Sequence, residues 1–155
     1  MSRDSLVPGL LLAMVAAAET ELAALDVTVS LGFDGTADGG DYLWIGVEDP
    51  FSASLGPAAS ASQEWAGSQR QTGRTESGDV WCCIEAWNGE GRMADALARC
   101  HAILAPFASW LRAADNADVP GLLHVGVVNI ATDLALSGTD AVARLVVRVH
   151  FEGRI

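Results

Sequence analysis

Four carboxylates crowd one stretch of the chain: Glu64, Glu76, Asp79 and Glu85 all fall within Gln63–Asn88. General acid–base work needs two such groups within reach of one cleft. Nothing in their spacing forces that, so solvated or arginine-paired side chains are the expectation. The three histidines are His101, His124 and His150. None stands in a metal-ligand motif with a Cys or a carboxylate, and there is no His-Glu-x-x-His. The cysteines are Cys82, Cys83 and Cys100, with no Cys-x-x-Cys among them. On a strand, Cys82 and Cys83 point to opposite faces, so they neither bridge easily nor share one metal. They read as small buried hydrophobes in a reducing compartment. There is no Gly-x-Ser-x-Gly, and no phosphate loop, since the chain has no lysine. Asp34, Asp38 and Asp41 suggest calcium, but the ordered Asp-x-Asp-x-Asp-Gly spacing is missing and a solvated loop is expected.

The elements that must position these groups can be read from periodicity. Gln63–Asn88 reads as two strands joined by a polar arm, Gly67–Gly78, that carries Arg70 and Arg74. From Val80 onward one face shows Val80, Cys82, Ile84 and Ala86, and the other Trp81, Cys83, Glu85 and Trp87. Both faces are largely apolar, so both need cover. Before this stretch, Leu11, Val15, Ala18, Leu22 and Leu25 form a helical stripe, with Asp4 or Ser5 as cap and Pro8 in the tolerated first turn. Arg3 and Asp4 cancel, and the apolar run continues into Glu19–Leu25, so a packed first helix is expected rather than a cleaved leader. Strands follow at Asp26–Leu31 and Tyr42–Val47. Asp49–Ser62 reads as a mobile loop anchored by Phe51 and Leu55.

Beyond the central strands, Asn88 is a plausible cap for a second helix. Met93, Leu97, Cys100, Leu104, Phe107 and Leu111 form its stripe. Asp95 and Arg99 are set for an i, i+4 pair, and Pro106 predicts a kink or a split. Two long strands, Leu122–Leu136 and Ala141–Phe151, close the chain around a Ser137–Asp140 turn. In the last strand Ala143, Leu145, Val147, Val149 and Phe151 face in, and Arg144, Arg148 and His150 face out.

This order gives an α+β class: one domain over residues 1–155, a mostly antiparallel sheet, and two main helices on one face. The other face then lacks helices. Trp44, Trp65, Trp81 and Trp87, with Arg70 and Arg74 of the arm, are the candidate contacts there, because an exposed apolar sheet face usually marks an interface.

The chain has 155 residues, enough for one core without disulfide or metal support. Half the residues are hydrophobic and the net charge is −11, with every basic residue an arginine. Such a chain repels duplex DNA and anionic lipid. No apolar run is long enough to span a membrane.

The order of elements, with Gln63-Glu64-Trp65-Ala66-Gly67, the run Glu76 to Gly89, and the closing Val149-His150-Phe151-Glu152-Gly153-Arg154-Ile155, resembles the tail terminator proteins of long-tailed phages infecting high-GC bacteria. The alanine-rich, all-arginine composition fits such a host, and the likeness spans most of the chain. Cys82-Cys83 and the Pro/Ser-rich loop match nothing in that pattern. The resemblance implies a homo-oligomeric ring, typically a hexamer, that caps the tail tube at the head–tail junction of the virion. Its partners would be the major tail tube protein and the head-side connector, with DNA passing through the lumen unbound. No catalytic residue, metal or cofactor is implied. Two other readings stand beside it: a stopper-type head–tail connector, and a small α+β ligand-binding or enzymatic domain using the loops around Asp41 and Glu64.

Overall fold

The computed structural model describes residues 4–34, 39–50, 56–65 and 73–155. In chain order the elements are α1 (Val7–Glu21), β1 (Thr28–Leu31), β2 (Tyr42–Ile45), β3 (Ala59–Trp65), β4 (Arg74–Asn88), α2 (Met93–Ala113), β5 (Leu122–Ser137) and β6 (Asp140–Arg154). The strands form one six-stranded sheet, β1-β2-β4-β6-β5, with β3 also paired to β4. β1 and β2 are parallel, with Ser30 opposite Trp44; every other pairing is antiparallel. β4 and β6 are the spine, in register from Thr75↔Arg154 to Asn88↔Ala141. The other edge of β4 is shared: β3 takes its first half, Arg74–Val80, and β2 takes Cys82–Glu85. The hand-over falls at Trp81, whose carbonyl accepts from Gly46 and Val47 while its N–H donates to Ala58.

Both helices pack on one face, as the α+β reading expected. The core joins Leu10, Met14, Ala18 and Leu22 of α1 and Cys100, Ile103, Phe107 and Leu111 of α2 to the inward residues of the sheet. Val80, Cys82, Ile84 and Ala86 point into it, as do Ala143, Leu145, Val147, Val149 and Phe151. The apolar alternation of β4 and β6 therefore holds in full.

Several expectations are corrected. The buried stripe of α1 is Leu10, Met14, Ala17 and Ala18, continued by Leu22, with Leu11, Val15 and Leu25 only half-buried beside it. In a helix this rich in alanine and leucine several faces are apolar, and the tertiary partners choose among them. β3 begins at Ala59, so the last four residues assigned to the mobile loop are strand; Phe51 and Leu55 lie outside the described residues. β4 begins at Arg74, so the second half of the polar arm is also strand. Ladder hydrogen bonds to β3 and β6 on its two sides override the low strand propensity of Glu76-Ser77-Gly78. Gly78 is required there, because a Cβ would strike the Ser60 carbonyl and come 2.8 Å from Ala61 Cα. α2 runs through Pro106 as one helix. The proline deprives the Ala102 carbonyl of its intrahelical donor, and Ala102 is exposed, so water can take its place.

Candidate assembly surface

The first turn of α1 is held from the sheet. Ser5 Oγ accepts from Val7 N–H at 3.1 Å and donates to Glu76 Oε1 at 2.6 Å. Glu76 Oε2 accepts from Leu6 N–H at 3.2 Å and from Gln63 Nε2 at 3.1 Å. Glu76 is only 1% exposed, yet it is neither solvated nor arginine-paired. It satisfies helix N-terminal donors, where a negative charge is favoured by the helix dipole. Gln63 relays outward, since its Oε1 accepts from Arg74 Nη1 at 2.9 Å. Arg74 in turn lies over the Trp65 ring, 5.3 Å from its centroid.

Trp65 is 73% exposed, the most exposed large hydrophobic side chain among the described residues. Trp65 and Arg74 are directly opposed across β3 and β4, so they form one aromatic–cation patch at the end of that hairpin. Arg70 lies outside the described residues.

Along the helix-free face the other tryptophans fare differently. Trp44 is fully buried, which removes it as a contact for a neighbour. The chain covers it by itself: Tyr42 stacks on it at 4.9 Å and Phe33 meets it edge-on at 5.5 Å, in a small second core with Val47 and Cys83. Trp81 and Trp87 are half-buried. Trp87 Nε1 donates to Glu85 Oε1 at 2.8 Å, and Arg144 Nη2 donates to Glu85 Oε2 at 2.9 Å. Glu85 is thus the arginine-paired carboxylate, fully buried with both oxygens used. Asp41 also serves structure, accepting from Arg99 Nε at 2.7 Å and from Trp87 N–H at 3.3 Å. Arg99 was expected to pair with Asp95, which instead lies 3.5 Å from Arg92.

The middle of this face brings together residues far apart in sequence. His150 Nδ1 lies 3.0 Å from Asp79 Oδ1, and Glu152 lies within 4 Å of both His150 (3.8 Å) and His124 (3.6 Å). No sequence motif predicts this grouping; it follows from the register of β4, β6 and β5. No three His, Cys, Asp or Glu among the described residues converge as metal ligands do. The three cysteines are free and buried, and burial pushes each thiol up to about 12. They are poor nucleophiles in the folded chain, as their reading as buried hydrophobes requires.

A further apolar exposure, on β5, was not anticipated. β5 pairs with β6 throughout, but its second half extends past the cover of α2. From Val128 to Thr139 every residue is exposed. Ile130, Leu134 and Leu136 are 41%, 46% and 60% exposed. They lie opposite Val147, Ala143 and Ala141, so they stand on the helix side of the sheet. The sequence signal was their alternation; it showed a strand but not that the helix stops short of it.

No protein-family model matches the chain, and no curated protein matches it. Several chains of solved structures share its fold, and one of them covers nearly the whole chain. That structure is titled "Virion of native gene transfer agent (GTA) particle"; the match covers 97% of this chain and 100% of that one, at a TM-score of 0.52 and 18% identity.

Proposed function

We propose that the chain is a structural subunit of a phage-type virion and, within it, the tail terminator: a ring, six-fold by the resemblance, that caps the tail tube, ends its growth and docks the tail to the head-side connector. The observation that carries this reading is the end-to-end fold likeness to a chain of a gene transfer agent virion. The sequence resemblance to tail terminators adds the finer role. Two surface features suit it. A closed ring needs two different patches on each subunit, and the Trp65–Arg74 hairpin end and the β5 overhang lie on different strands of the sheet. A net charge of −11 disfavours retention of DNA along a lumen.

Electron microscopy of the particles that contain this chain tests the reading directly. The expected result is density for the chain as a ring between tail tube and head. Density in a stopper position would replace the terminator role with that of another connector. Absence from every particle would overturn the virion reading.

A further inference from the structure

We propose that the outer edge of β3 takes up an extended, basic segment of a different protein, which adds to the sheet as a seventh strand. The proposal does not rest on the ring or on the terminator role.

The hydrogen-bond phase of the sheet shows which backbone groups of β3 face outward. Trp81 N–H donates to the Ala58 carbonyl, and Arg74 and Ile155 exchange both of their backbone bonds. The first bond turns Trp81 toward the β3 side of β4, and the second turns Arg74 toward the β6 side. In an antiparallel ladder these directions alternate residue by residue. Thr75, Ser77 and Asp79 therefore bond toward β3, to Glu64, Ser62 and Ser60. Ala59, Ala61, Gln63 and Trp65 turn their N–H and C=O groups away from β4. Among the described residues no strand pairs with that edge.

Such an edge specifies its ligand. Its groups repeat at every second residue along about 20 Å, a spacing that another extended backbone matches. Free-standing sheets blunt an open edge with proline, charge, a bulge or a very short strand. β1, at four residues, is short in this way. β3 has seven residues in unbroken register, no proline and one charge, Glu64. Its first four side chains, Ala59, Ser60, Ala61 and Ser62, are small and leave room for a neighbouring strand.

Charge selects the protein that supplies the strand. Glu64 is exposed and makes no ion pair among the described residues. Opposite charges on neighbouring strands stabilise a sheet, and like charges oppose it. β1, β3 and β5, the strands with an open edge, carry no arginine, and the chain has no lysine. A second copy therefore has no open strand that brings Glu64 a cation. A basic segment of another protein does, and the net charge of −11 attracts it from a distance.

Solution NMR of the full chain with synthetic peptides tests the proposal. The first probe is a capped peptide of the same seven-residue length as β3, alternating threonine and valine, with two threonines replaced by lysine. The second is that peptide N-methylated at every residue, which removes its donors. The third carries glutamate in place of lysine. The lysine peptide should shift and protect the amides of Ala61, Gln63 and Trp65, and leave those of Ser60 and Ser62, already bonded to β4, little changed. Ala61→Pro deletes an outward donor and keeps the ladder to β4. That variant and the methylated peptide should each weaken binding about tenfold or more, the worth of a lost main-chain bond or two. The methylated peptide acts on the unmodified chain, so it decides the matter even where Ala61→Pro unfolds. Equal binding of the methylated peptide, or no protection of the outward amides by any peptide, would overturn the proposal. Glutamate and lysine peptides binding equally would overturn the choice of a basic partner. Protection that appears in the chain alone as its concentration rises would give the edge to a second copy and overturn the proposal too. None of these outcomes touches the ring reading, which the particle images decide.

Discussion

Glu76 on β4 accepts the backbone N–H of Leu6, 70 residues earlier in the chain, and so caps α1 from the sheet. The same carboxylate holds Ser5 and Gln63. Glu76→Ala should leave three donors without their acceptor and cost about 2 kcal/mol of stability. Hydrogen exchange should accelerate in the first turn of α1 before it does in α2. A loss within ~0.5 kcal/mol, the range of an ordinary surface change, would remove Glu76 from this role.

Glu85 and Arg144 oppose each other across β4 and β6, with the carboxylate fully buried. Arg144→Met strips the cation from a buried anion and should cost on the order of 3 kcal/mol in urea unfolding. Adding Glu85→Gln to that variant should recover part of the loss. If the double variant were less stable than Arg144→Met alone, the buried charge would not be the source of the damage.

The thiols of Cys82, Cys83 and Cys100 are raised by burial from 9.0 to about 12. A folded-state value above the unfolded one means the folded chain holds those protons more tightly. The associated stability is complete below pH ~9 and falls as pH rises from there toward about 12. Thiol-reactive dye at pH 8 should label none of the three in the folded chain and all three in denaturant. Rapid labelling of the native chain would contradict their burial.

Trp65 is exposed and touches Arg74 at the surface. Trp65→Ala should change thermal stability by less than about 1 kcal/mol, because it opens no cavity. It should weaken assembly clearly if this patch meets a neighbour. Unchanged ring formation by sedimentation would leave Trp65 a surface tryptophan with no partner.

Assembly of copies at −11 each works against mutual repulsion. Raising salt should therefore strengthen rings, as screening shortens the reach of that repulsion. Rings that dissociate as salt rises would point to attractive ion pairs as the main bond between copies.

The stretches with the strongest alternation, β4 from Val80 onward and β6, were legible in the sequence down to the direction of their apolar side chains. Their apolar residues repeat with period two, and each faces a neighbour on both edges. What could not be read was set by distant partners. Trp44 looks like surface on a helix-free face until Tyr42 and Phe33 are seen against it. Glu76 reads as a solvated loop carboxylate because its ligands, Ser5 and Leu6, lie at the other end of the chain. The start of β3 within a Ser/Ala run is invisible to propensity, since only its ladder with β4 makes it a strand. The His150–Asp79–Glu152–His124 grouping needs strand register, which single-strand patterns do not specify.

β3 has a consequence for how the subunit comes apart. Of its seven residues only Ala59 touches the interior, and the rest face solvent. β4 stays anchored along its whole length by β6, so β3 can peel away without opening the hydrophobic centre. The molecule is therefore a stiff plank with one loosely stitched fringe. That fringe carries Trp65, and its amides should be the first among the strands to exchange with heavy water in an isolated copy and the most slowed once the copy is locked into an assembly.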